Sequence, residues 1–97
     1  MAEAKTTTDH STIRKWAEQR GGVPSTVSGT GRKDDAGILR LDFEPKDSKL
    51  EPIGWDEFFE KFDKEKLAFL YQDKTEDGRE SRFHKFVQRS HAQQRSH

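Results

Sequence analysis

The residues with most capacity for chemistry gather toward the end of the chain. Arg79, Arg82, His84, Lys85 and Arg89, with Phe83 and Phe86 between them, combine cations with stacking rings. That mixture suits phosphates lying beside unstacked bases. On a strand, Arg82, His84 and Phe86 would share one face, and Phe83, Lys85 and Val87 the other. Residues 79–97 carry five basic groups and one acidic, whereas residues 34–65 carry eleven acidic and five basic. An acidic middle on the same small domain repels phosphate, so this reading extends only to weak, sequence-independent binding of nucleic acid. The plainer reading is a solvated edge strand guarded by its charges.

A second candidate is the glycine-rich stretch from Gly29 to Gly37. Gly29 and Gly31 could expose backbone N–H groups, and Arg32 and Lys33 add charge, so the loop has the ingredients of an anion cradle. It lacks the GxxxxGK[ST] spacing of a P-loop and no helix follows it, which favours a hairpin loop. Asp9-His10 could supply a general base, but the same pair sits where a helix needs its N-cap. Asp34-Asp35, Asp56-Glu57 and Glu60 have neither EF-hand spacing nor a partner set for acid–base work. Trp16, Trp55 and Tyr71 could stack on sugars or bases, yet at helical and strand positions they read as core. His91 and His97 are too irregularly spaced for a ligand pair. We therefore expect no catalytic residues, no metal ligands and no cofactor.

The elements that must position these groups follow from periodicity. Trp55, Phe58, Phe59 and Phe62 fall at i, i+3, i+4 and i+7, one face of a helix. Gly54 is its expected N-cap, with Ile53 and Phe58 as a hydrophobic staple. Glu57 with Lys61 and Glu60 with Lys64 are expected i,i+4 pairs. An earlier helix is expected over about 9–20, with Ile13, Trp16 and Ala17 inward and Gly21-Gly22 and Pro24 as its stop. Ile38 to Phe43 alternates: Leu39, Leu41 and Phe43 share one face, while Arg40 and Asp42 point away. It pairs back on the β-prone Ser25–Gly29. Leu67 to Gln72 is a short apolar strand, and Asp77-Gly78 turns the chain into a last strand over Ser81 to Gln88. The predicted order is α-β-β-α-β-β, an α+β domain with one antiparallel sheet and two packed helices. Residues 1–8 are expected as a flexible N-terminus, 9–88 as the domain and 89–97 as a disordered tail.

Composition sets bounds on function. The chain has 97 residues, 29% hydrophobic and 37% charged, so its core is thin and depends on ten aromatic rings. It has no cysteine, which excludes disulfides, thiolate metal sites and cysteine catalysis. No apolar stretch reaches membrane-span length and the N-terminus shows no signal-peptide core. These features suggest a soluble, cytoplasmic monomer with no membrane partner.

Thr6-Thr7-Thr8-Asp9-His10, Ile13 to Glu18, Arg20-Gly21-Gly22-Val23-Pro24, Gly37 to Phe43, Trp55 to Phe62 and Leu70-Tyr71-Gln72 together resemble a family of short bacterial proteins of about this length. Its members are often labelled 1,4-alpha-glucan branching enzyme. A catalytic (β/α)₈ barrel needs roughly 250 residues, more than the 97 present. What the resemblance implies is therefore an accessory role in glucan metabolism. From the residues themselves, the first expectation is a non-catalytic binding or interaction module with a protein partner. Nucleic-acid binding through the basic end is the second.

Overall fold

The computed structural model describes residues 4–32 and 35–89. Its elements are β1 (Ala4–Thr7), α1 (His10–Gln19), β2 (Val23–Val27), β3 (Leu39–Asp42), β4 (Leu50–Pro52), α2 (Trp55–Lys64), β5 (Leu67–Gln72) and β6 (His84–Gln88). The domain is α+β. The order α-β-β-α-β-β holds, with two strands added and the strands divided between two antiparallel three-stranded sheets, β1-β5-β6 and β3-β2-β4.

Both helices begin where their caps require. Asp9 has extended backbone and its carboxylate accepts from the Thr12 amide at 2.9 Å and the Thr12 hydroxyl at 2.6 Å. Those bonds hold the Asp9 carboxyl below its ordinary pKa. Gly54 caps α2, with Asp56 and Glu57 in the first turn and Lys61 and Lys64 in the last, the order that suits the helix dipole. After α1, Gly21 takes φ 72° and Gly22 returns its amide to the Ala17 carbonyl at 2.8 Å, which closes the helix.

The two added strands carry little apolar signal. Ala4–Thr7, expected as part of a flexible end, pairs with β5 so that Thr7 lies opposite Phe69 and Ala4 opposite Gln72. β4 is three residues long and pairs with β2. The last strand begins at His84, not at Ser81, because Ser81 is buried. Its hydroxyl donates to the Gln72 side-chain oxygen at 2.7 Å and accepts from the Phe83 amide at 3.1 Å.

One aromatic core joins the elements. Ile13, Trp16, Ala17, Leu39, Leu41, Phe58, Phe59, Phe62, Phe69 and Tyr71 are all buried in it. Trp16 stands edge-on to Phe69 at 5.3 Å between ring centres, and Phe58 to Phe86 at 5.9 Å. Such contacts add about 0.5–1.5 kcal/mol per pair beyond area burial. Trp55 is only half-buried and stacks on Phe59 at 5.3 Å.

Candidate functional site

The five basic residues of the C-terminal end do not form one continuous free face. Arg79 is exposed on the loop before β6 and pairs with Asp77 at 3.5 Å. Arg82 donates to the Glu44 carbonyl at 3.1 Å and lies over the Phe43 ring at 5.3 Å. His84 shares the inner face of β6 with Phe86, where its ring meets Trp16 at 5.5 Å and Phe43 at 5.6 Å. Burial among these rings, assisted by the Arg40 charge, pulls its pKa below the ordinary value despite the bond to the Arg82 carbonyl. Lys85 stays exposed on the other face, opposite Leu70. Arg89, expected in a disordered tail, is tied to the domain. It donates to the Leu67 carbonyl at 3.0 Å and to Asp63 at 3.1 Å, and covers the Phe62 ring at 5.7 Å.

Within the glycine loop the Asp35 carboxylate is held by the Gly37 amide and by Lys61 of α2, not by the Gly29, Gly31 and Arg32 groups marked from the sequence. The Gly37 amide donates to this carboxylate at 2.8 Å, and the Lys61 ammonium donates at 2.7 and 2.9 Å. The Lys61 and Gly37 bonds lower the Asp35 carboxyl to a pKa of about 2, and Lys61 is correspondingly raised. Gly37 takes φ 99°, and a Cβ there would lie 2.5 Å from the Thr30 hydroxyl. Lys61 is thus turned to Asp35 and, at 3.4 Å, to Glu65, not to Glu57, and Lys64 also faces Asp35 at 3.6 Å. Gly29, Gly31 and Arg32 remain on this loop, while Lys33 lies outside the described residues.

The cavity best suited to a ligand lies elsewhere. A groove of about 340 Å³ runs between β3 and β6, the edge strands of the two sheets. Ile38, Leu39, Leu67 and Phe86 supply its apolar surface, and Arg40, Lys61 and Glu65 its charges. Ile38 is 49% exposed, one of two large apolar side chains left open to solvent among the described residues. Lys61 and Glu65 satisfy each other and Asp35. Arg40 forms no ion pair among the described residues. Its guanidinium folds back to donate to the Leu39 carbonyl at 2.9 Å.

None of Arg79, Arg82, His84, Lys85, Arg89, Gly29, Gly31 and Arg32 lines this groove. Ile38, Arg40, Leu67 and Phe86 were legible as strand residues, and Arg40 as pointing off the apolar face of β3. Nothing in the spacing tells that residues of β3 and β6 border one cavity. Chemically, the groove offers an apolar floor, a strand edge on each side and one guanidinium without a carboxylate. Among the described residues, no three His, Asp or Glu side chains gather as a metal site. No protein-family model, curated protein or solved structure matches the chain.

Proposed function

We propose that the protein is a non-catalytic interaction module that holds an extended, acidic segment of a partner protein in the groove between β3 and β6. The observation that carries this reading is Arg40: a guanidinium without an ion pair among the described residues, set beside the apolar Ile38, Leu67 and Phe86. A carboxylate entering there meets a planar donor fork partly shielded from water, where a charge-assisted bond is stronger than on an open surface. Small-molecule pockets run from about 300 to 1,000 Å³ and enclose most of their ligand. This groove, at about 340 Å³, is open along its length, which suits a chain passing through it.

Arginines 82 and 89 support the same choice of partner. Arg82 lies over Phe43 on the loop before β6 and Arg89 is paired with Asp63 beyond its end, so the two make no continuous row for a phosphate backbone to follow. Selection of random displayed peptides on the native chain tests the reading. Winners should be enriched in acidic and β-branched residues and lose binding to Arg40→Glu and Ile38→Asp, both exposed positions whose exchange leaves the core intact. Peptides that bind both variants unchanged would exclude the groove.

A further inference from the structure

Among the described residues no strand pairs with β6 on the side away from β5, and its backbone groups can be assigned one by one. The Gln72 amide donates to the Phe83 carbonyl at 3.2 Å, and the Arg89 amide donates to the Lys66 carbonyl at 2.8 Å. An antiparallel ladder alternates with a period of two residues. Lys85 and Val87, of the same parity as Phe83 and Arg89, therefore also bond to β5. The N–H and C=O groups of His84, Phe86 and Gln88 point outward, where no strand pairs with them among the described residues.

β3 flanks the same groove but is less available. The Val27 amide donates to the Ile38 carbonyl at 2.9 Å, so Ile38 and Arg40 face β2, and Leu39 and Leu41 face outward. The outward carbonyl of Leu39 is already taken by the Arg40 guanidinium. The edge of β6 carries no such cover from its own side chains. His84 and Phe86 turn inward to the core, and Lys85 stands on the opposite face.

Resting on the binding role proposed above, we infer that the partner segment binds by strand addition to β6, pairing with the outward backbone groups of His84, Phe86 and Gln88. Main-chain bonds to this edge would supply affinity, and alternate side chains would supply selectivity. Residues on the inner face of the added strand fill the groove over Phe86, Ile38 and Leu67. An acidic residue reaches Arg40 from that face, and one on the outer face meets Lys85. The fitting sequence thus carries β-branched residues and one acidic residue on its inner face and acidic residues on its outer face.

The probe is the synthetic heptapeptide Val-Glu-Glu-Glu-Val-Glu-Val, whose odd positions put three valines and one glutamate on the inner face, added to the full chain and followed by amide hydrogen exchange in NMR. Near saturation, exchange at His84, Phe86 and Gln88 should slow by about tenfold or more, because each free amide gains a protecting bond. Lys85 and Val87, already bonded to β5, should not change. N-methylation at alternate peptide positions should abolish binding for one parity and spare the other. If peptide resonances report binding at Ile38 and Arg40 but the three amides exchange as before, strand addition fails and the interaction role survives. If nothing shifts at any of these positions, both fail. If the three amides are protected without peptide in a species of doubled mass, a second copy of the chain owns the edge and the inference is overturned.

Discussion

Arg20 is buried without a carboxylate partner among the described residues, and its removal makes a sharp test of how this thin core is held. Its guanidinium donates to three backbone carbonyls: Ser81 at 2.5 Å, Asp73 at 2.8 Å and Trp16 at 3.0 Å. It also lies over the Trp16 ring at 4.4 Å. The Trp16 carbonyl needs it, since its helical donor would be the Arg20 amide, which goes to Ala17 at 3.0 Å instead. The Ser81 carbonyl needs it too, for Ser81 is 2% exposed. Asp73 is exposed, so its carbonyl can regain water. Arg20→Met preserves the packing volume but orphans two buried acceptors at about 1–3 kcal/mol each. It also removes a cation–ring contact of about 0.5–2 kcal/mol. The loss should be about 3 kcal/mol, a large part of the roughly 5–15 kcal/mol that holds a domain together. Urea melts of the native chain, Arg20→Met and Arg20→Lys measure it, and lysine, lacking the fork, should recover only part. The loop 73–83 should also lose amide protection first at Ser81, whose amide bonds to the Asp73 carbonyl. A loss under about 1 kcal/mol would refute the assignment of Arg20 as the pin of this loop.

Three further outcomes follow from the same geometry. The Asp35 carboxyl titrates at about 2 in the folded chain against 3.8 for the free group, so its contribution to stability is complete above the ordinary carboxylate range and is lost as pH falls from 3.8 toward 2. Asp35→Asn should lower the urea midpoint at pH 7 and much less at pH 2.5, and equal losses at both would remove the Lys61 bond as cause. Gly37→Ala should destabilise by about 2 kcal/mol, because φ is positive and the new Cβ meets the Thr30 hydroxyl and the Gly31 amide; a neutral melt would contradict that crowding. Arg89→Ala should cost about 1 kcal/mol through lost cover of Phe62 and the lost bond to the Leu67 carbonyl, whereas a dispensable tail residue would leave the thermal midpoint unmoved.

What the sequence disclosed of this fold is what local physics decides. Asp9 and Gly54 mark helix starts because a cap is a matter of three residues. The Trp55, Phe58, Phe59 and Phe62 stripe marks the buried face because helix periodicity alone aligns it. β1 escaped because Ala4-Lys5-Thr6-Thr7 has no alternation to bury, and its strand state comes from backbone pairing with β5. Lys61 escaped for a related reason. Glu57 and Glu65 both lie four residues away, and Asp35 lies 26 away, and only the fold ranks them. Arg89 looked like the start of a tail because its partners, Asp63 and Leu67, are distant in sequence. The groove needed the relation between two sheets, which no periodicity encodes.

This chain has 37% charged residues and a small core, so many of its charges must act as structure. Asp35 closes the glycine loop against α2, and Arg20 anchors the loop before β6. Asp63 receives Arg89 at 3.1 Å and His10 at 3.0 Å, joining the start of α1, the end of α2 and the end of β6. Partial burial would raise the Asp63 carboxyl, but the bonds from His10 and Arg89 outweigh it and leave the pKa below the usual range. Arg20 too lacks a carboxylate among the described residues, but it is buried and donates to three backbone carbonyls, whereas Arg40 is exposed. Its charge meets no carboxylate among the described residues, its one bond is to its own strand, and it borders apolar surface that is open to solvent. A guanidinium serving only solubility has no reason to stand beside Ile38 and Phe86. Strand addition to β6 would give it a carboxylate and would cover Ile38 in the same step. That is why the edge and the groove are assigned to one partner.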